Sequence, residues 1–261
     1  MANQIYDNFF LSNEVEDQLN SKLNLQSFCT VDNSLVGTVG MKRIINTYRA
    51  TDGTEKLTIG KGNTKSIEVS YTPKEYEIAL AQNRFAWYDE HAMADDMLVP
   101  TGMKHAGTDM YNTINADVMA EFKKTGIEVP VSAFDFDAFV DASAALNVEN
   151  VEGLRIFAFV HPKDKAKIRK ALKDSLEYVE AYARQGYIGS VAGIDLYDSA
   201  IATEGEIIVA TKDAVTIFNK KGVEVEDERD ANTRENIVYS RKYYVVALTD
   251  ESKAVKIKLG A

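Results

Sequence analysis

Between residues 41 and 72 the chain spells a hairpin that it cannot stabilise by itself. Arg43-Ile-Ile-Asn-Thr-Tyr-Arg49 is rich in β formers. Thr51-Asp-Gly-Thr54 and Gly60-Lys-Gly-Asn63 carry turn chemistry. Ser66-Ile-Glu-Val-Ser-Tyr71 returns with Ile67, Val69 and Tyr71 in strict alternation. Only half of this hairpin is apolar, and a lone two-stranded hairpin is marginal in water. The segment therefore needs another surface to lie on, and a second subunit would supply one.

The rest of the chain is an ordinary soluble α+β sequence. Its 261 residues fit one large domain or two small ones. Residues 1–40 hold the apolar cluster Phe9-Phe10-Leu11 and a weak helix through Glu14, Val15, Gln18, Leu19 and Leu23, too little for a core. After Tyr76, Ala79, Leu80 and Phe85-Ala-Trp-Tyr88, a long helix is expected from Asp89 to Lys124. Its apolar candidates are Met93, Met97, Met103, Met110, Ile114, Val118 and Phe122, a single stripe from Met103 onward. Pro100 and Gly102 predict a kink or break, and Gly126 a C-cap. A helix through Leu146 follows Phe134, with Asp135 and Asp137 placed as N-caps. Leu154–Val160 reads as a buried strand, and Pro162 opens a helix to Ala183. The last third is mostly β: 207–210, 215–218, 223–226, 236–239, 243–248 and 254–259.

Charge and motifs exclude more than they assign. With 30 basic and 40 acidic residues, the net charge is −10, which argues against gripping nucleic acid. Cys29 is the one cysteine, so no internal disulfide or Cys-based zinc site forms. No apolar run approaches a membrane span, and the first residues do not read as a signal peptide. His91 and His105 lack His-x-x-x-His spacing, and His161 sits at a strand-to-helix turn. The acids Asp95/Asp96, Asp135/Asp137 and Glu226-Asp-Glu228 read as chance clusters or caps rather than catalytic pairs. Gly186, Gly189 and Gly193 match neither a dinucleotide nor a phosphate loop, and Ser190 and Ser199 have no evident histidine partner. The five basic residues within 163–170 read as a solvated helix face, with contact to nucleic acid as the sharper alternative. No catalytic residue, cofactor or metal ligand is assigned.

Gly186-Tyr-Ile-Gly-Ser-Val-Ala-Gly-Ile-Asp-Leu-Tyr-Asp-Ser199, followed by the strand Ile207–Ala210, resembles a segment of the major capsid proteins of tailed bacteriophages. Lys220-Lys-Gly-Val-Glu-Val-Glu-Asp-Glu-Arg-Asp230 and the strands from Arg234 to Leu248 are similar to the blocks that follow in that family. The likeness covers about the last 110 residues; upstream only the order of elements agrees. It implies the HK97-like capsid fold: an N-terminal arm (1–40), an extended E-loop hairpin (41–75), a peripheral domain with a long spine helix (76–134), an axial domain (135–222) and a return to the peripheral domain (223–261). The function implied is structural: a subunit that self-assembles as hexamers and pentamers into the icosahedral head shell of a tailed phage or prophage. That shell would enclose dsDNA without sequence-specific binding, in a virion assembled in the host bacterial cytoplasm.

A separate scaffolding protein, a portal and head-completion or decoration proteins are the further partners implied, with no membrane involved. Residues 224–230 hold five acids and one arginine, so they should repel one another unless basic groups face them. Lys61 and Lys65 on the hairpin, with Glu228, Arg229 and Arg234 on the late strands, are therefore the candidate inter-subunit contacts; Lys56 is a further hairpin cation. Some relatives join subunits by a Lys–Asn isopeptide bond; Lys61 or Lys65 with Asn232 or Asn236 could take those roles, but nothing in the sequence marks them. Two other readings compete. An encapsulin-type shell would share the fold and hold an enzyme cargo. An enzyme would need a deep pocket with convergent polar groups.

Overall fold

The computed structural model describes residues 24–147, 155–172 and 189–260. The expectations for Phe9–Leu11, for the helix through Leu23, for the far end of the helix to Ala183 and for Gly186 fall outside them.

Three sheets organise the described chain. The six-stranded sheet runs in the order β5 (Glu128–Val131), β12 (Ala254–Leu259), β9 (Glu206–Thr211), β6 (Ile156–Val160), β8 (Ile194–Asp198), β7 (Ser190–Val191). Its central strands are buried on both faces, which is why 157–160 and 207–210 are near-continuous apolar runs. On one face, Ala158, Val160, Ile207, Val209, Val255 and Ile257 pack with α3 (Phe136–Leu146) and with Ile168 of α4 (Pro162–Ala171). On the other, Phe157, Phe159, Ile208 and Ala210 pack with Met119 and Phe122 of α2 (Leu98–Phe122). Ring contacts at 5.4–6.1 Å between Phe122 and this pair fix that junction.

The four-stranded sheet has the order β1 (Thr30–Asp32), β10 (Val215–Asp230), β11 (Glu235–Leu248), β4 (Ala79–Tyr88). Val215, Ile217, Tyr244 and Val246 face α2, and Phe218, Val245 and Ala247 face the opposite side. The third sheet is the hairpin of β2 (Lys42–Ala50) and β3 (Val69–Glu77).

Several elements differ from expectation. The short strands expected at 215–218 and 223–226 are one long strand, β10, and those at 236–239 and 243–248 are one strand, β11. Register shifts on either side of Lys221 mark a bulge between the two halves of β10, where the apolar pattern lapses. Strand β4 was not foreseen; residues 80–85 alternate between exposed and half-buried, but the half-buried face includes the polar Asn83 and the exposed one Leu80, so the sequence shows no apolar alternation. The helix breaks between α1 (Asp89–Ala94) and α2, at Asp95–Met97, rather than at Pro100 or Gly102. Pro100 lies in the first turn of α2, where its missing N–H costs no bond. Gly102 is needed for contact: a Cβ there would lie 2.1 Å from the Phe85 ring. The buried stripe starts at Met110, and Met93, Met97 and Met103 are exposed. Gly126 is no C-cap; α2 ends at Phe122, and the Gly126 N–H donates to Glu251 Oε1 at 3.0 Å. Asp135 does cap α3, accepting from Ala138 N at 3.0 Å, and Pro162 occupies the first position of α4.

Candidate inter-subunit surfaces

The hairpin is anchored at its root and bare along its arms. Ile45, Tyr76 and Ile78 pack against Phe218 and Val245, and the Tyr76 hydroxyl donates to Leu248 O at 3.2 Å. The Arg43 guanidinium lies over the Phe218 ring, 5.1 Å from its centroid, and Lys74 pairs with Glu251 at 3.3 Å. Ile44 at the root and, beyond it, Leu57, Ile59, Ile67, Val69 and Tyr71 are all exposed. The returning arm is β3, so Ser66–Glu68 belong to the tip rather than to the strand expected at 66–71.

The tip is folded on itself. Thr51 N donates to Glu68 O at 2.9 Å, and Asn63 Nδ2 to Gly53 O at 2.9 Å. The Glu55 carboxylate accepts from Thr64 N and its hydroxyl, both at 3.1 Å. Gly53 is buried, and a Cβ on it would come within 2.7 Å of the Ile67 backbone nitrogen. Gly60 has φ +84°, a turn geometry that suits glycine. Lys56, Lys61 and Lys65 have no ion-pair partner among the described residues.

Opposite in character is the distal half of β10. It lies beyond β1, so residues 223–230 form a free sheet edge, exposed almost throughout. Charges on such an edge discourage indiscriminate pairing. The acids there are partly neutralised within the chain. Lys221 pairs with Glu224 at 2.6 Å, and Arg241 reaches both Glu224 and Glu226. The Lys221 bond, with Arg241 behind it, holds the Glu224 carboxyl below its ordinary value. Asp230 is likewise lowered, first by the Asn232 N–H and then by the Thr233 hydroxyl. Asp227 and Glu228 have no ion-pair partner among the described residues.

The candidate arginines already have partners in their own chain. Arg229 Nη2 meets Asp89 Oδ2 at 2.7 Å, and Arg234 Nη2 meets Glu90 Oε1 at 2.8 Å. Asn236 Nδ2 donates to Asp89 Oδ1 at 2.6 Å, and Asp89 N to Arg234 O at 3.2 Å. Together they latch the ribbon tip onto the start of α1. The pair Asp89-Glu90 was the sequence signal for this latch: two acids opening a helix read as ordinary N-terminal charges. Arg234, at φ 57°, holds the turn in the left-handed region. The five candidates thus separate into three exposed groups, Lys61, Lys65 and Glu228, and two arginines engaged locally.

The other sequence candidates resolve into structural roles. Lys163 pairs with Glu204 at 2.9 Å, Lys165 with Asp198 at 3.2 Å, and Lys167 with the fully buried Asp164 at 2.6 Å. The Asp164 carboxylate also accepts from Gly205 N at 2.7 Å, tying α4 to the turn before β9. These pairs favour the solvated helix face. The His161 ring caps α4 through Lys163 N, and Ser199 is buried in a turn. A cavity of about 580 Å³ is lined by Phe28, Phe157, Tyr197, Arg155 and Asp195, among others, but its Arg155 and Asp195 pair with each other at 2.8 Å. No trio of metal-binding side chains occurs among the described residues, and none of the described helices is long and apolar enough to cross a membrane.

Comparison with known proteins agrees with this architecture. The family model for phage capsid proteins matches residues 71–257. The chain is 26% identical over 258 residues to the major capsid protein of Staphylococcus phage phiMR11, covering 95% of this chain and 91% of the relative. The capsid structure of cyanophage P-SCSP1u superposes with a TM-score of 0.75 at 15% identity, over 96% of this chain and 93% of the other. A structure from Mycobacterium phage Che8 gives 0.74 at 14% identity, over 98% of both. An encapsulin complex from Synechococcus elongatus shares the fold at a TM-score of 0.63 and 10% identity, over 90% of this chain and 86% of that one. With a family match spanning most of its length and an HK97-like α+β fold, the chain belongs to the phage capsid protein family and is a major shell subunit.

Proposed function

We propose that copies of this chain close, as hexamers and pentamers, into the icosahedral head of a tailed phage or prophage that encloses dsDNA. The subunit serves as wall material and performs no chemistry. Residues 1–40 serve as the N-terminal arm, 41–75 as the E-loop, 76–134 and 223–261 as the peripheral domain with α2 as spine helix, and 135–222 as the axial domain. The axial sheet also draws in β5 and β12, which pair with each other and with β9. Assembly takes place in the host cytoplasm on a separate scaffolding protein, with portal and head-completion proteins joining the shell.

One observation carries this reading: a hairpin rooted by Ile45, Tyr76 and Ile78 that holds apolar arms and uncompensated lysines in solvent. A monomer gains nothing from that arrangement, whereas a neighbour with an acid-lined edge covers it. Net charge −10 also suits a container whose cargo must slide during filling. The encapsulin reading has the shared fold behind it, but the family match and the curated relative are phage capsid proteins. The test is negative-stain microscopy of the purified protein, alone and with its scaffold. Rings, tubes or shells are expected; strictly monomeric protein at high concentration with scaffold present overturns the proposal.

A further inference from the structure

A surface separate from the hairpin and the acidic edge lies on the six-stranded sheet. Helices α3 and α4 pack on the same face of it, over different halves. Helix α3 lies on β5, β12 and β9, while α4 follows β6 and is tied to β8 by the Lys165–Asp198 pair. The outer faces of these helices carry opposite charge. On α3, Phe136 and Val140 stand one turn apart and are 48% and 42% exposed, although both are apolar. Asp137 and Asp141 run beside them at the same spacing, also exposed. On α4, Ala166, Arg169 and Lys170 are exposed and fall at i, i+3 and i+4, which leaves a shallow hole with alanine at its floor. Lys163, Lys165 and Lys167 are held by acids of their own chain. Arg169 and Lys170 have no ion-pair partner among the described residues, and neither have Asp137 and Asp141.

We infer that α3 of one copy packs against α4 of a second copy. Phe136 enters the hole over Ala166, and Val140 lies on the alkyl stems of Arg169 and Lys170. The Asp137 and Asp141 carboxylates accept from the two cations, and the planar fork of Arg169 suits such a partner. A second copy is the occupant that the charges favour, because the chain itself supplies both complementary halves. Within one copy those halves sit over different parts of the sheet, and no ion pair joins them among the described residues. Copies set side by side bring them together. Packing α3 on α3 would face acids with acids, and α4 on α4 would face cations with cations, so the self-matched alternatives are disfavoured. Two different surfaces meeting in this way make a head-to-tail contact, the kind that closes into rings.

The inference rests on the shell reading, and the test separates the two. One variant carries Asp137→Lys with Asp141→Lys, a second Arg169→Glu with Lys170→Glu, and a third all four changes. Each full chain is assembled with its scaffold at low salt, and particles are counted by negative-stain microscopy. Each of the first two should lower particle yield about tenfold or more, with the circular dichroism of the subunit unchanged, and the third should recover it. Parental yield from both of the first two overturns this inference and leaves the shell reading intact. A third variant no better than the first two overturns the α3–α4 pairing. Failure of the parent protein to assemble overturns both. A second readout does not depend on charge and decides the matter if a reversed chain fails to fold. In a Cys29→Ser background, one tagged chain carries Phe136→Cys and a second, differently tagged chain carries Ala166→Cys. A disulfide between the two is expected in co-assembled particles, and particles without it overturn the inference. Links formed instead between two Phe136→Cys chains overturn the head-to-tail order.

Discussion

At the scale of single residues, Gly102 shows how closely the spine of this molecule is fitted. Helix α2 approaches β4 so tightly that the Phe85 ring occupies the space of a side chain at position 102. Phe85 also stacks on Trp87 at 5.0 Å, which restricts its retreat. Gly102→Ala should therefore destabilise the subunit by about 1–3 kcal/mol through overpacking, although alanine is the better helix former. Phe85→Leu in the same chain should recover part of the loss. Urea unfolding of the two variants checks this; a stabilised Gly102→Ala would show that the ring moves aside at no cost. Sequence alone placed a glycine in a helix and suggested a break. The reason for it, a ring from an unforeseen strand, exists only in three dimensions.

Elements were legible where their apolar pattern closed on the chain's own core. The strands at 156–160 and 206–211, the caps at Asp135 and Pro162 and the lower half of α2 are of this kind. The elements that were missed, joined or interrupted differently, namely β4, the distal halves of β10 and β11 (strands as expected, but parts of longer ones) and the start of α2, contribute little to that core. In β4 and in the ribbon of β10 and β11, ladder bonds hold residues whether or not an apolar face turns inward: Val223 and Val225 alternate with acids in sequence yet stay exposed. The arginines were misread for a related reason: Asp89 lies far from Arg229 in sequence and beside it in space. The hairpin was legible in its turns and only roughly in its returning arm, and its folded tip changes what should be measured. In free subunits, limited proteolysis should cut at Gly60–Gly62, which is exposed, and spare Gly53, which is buried and bonded through its carbonyl. In assembled shells both sites should be protected. Cleavage at Gly60–Gly62 at the same rate in both states would mean that no neighbour covers the tip.

For the whole molecule, the decisive charge is Glu228. Arg234→Glu would set an acid beside Glu90 and disturb the latch, so a defect there would say little about assembly. Glu228 makes no ion pair among the described residues, so Glu228→Lys changes the outer edge and leaves the fold alone. Each exposed pair contributes only ~0–1 kcal/mol, but a shell repeats it at every subunit. Assembly of Glu228→Lys should fail at low salt, with circular dichroism unchanged, and return when Lys61 or Lys65 is changed to Glu. Normal assembly at low salt would make the edge a solvated surface and nothing more.

The six-stranded sheet sets a clock. Strand β12, made last of its members, lies between β5 and β9 and hydrogen-bonds to both. Until residues 254–259 are synthesised, β5 has no partner, and the slot for Val255 and Ile257 stands empty. A nascent chain that already displays its hairpin therefore still lacks a finished body behind it. A chain that has not reached residues 254–259 cannot complete this sheet, so a subunit is whole only once translation has passed them.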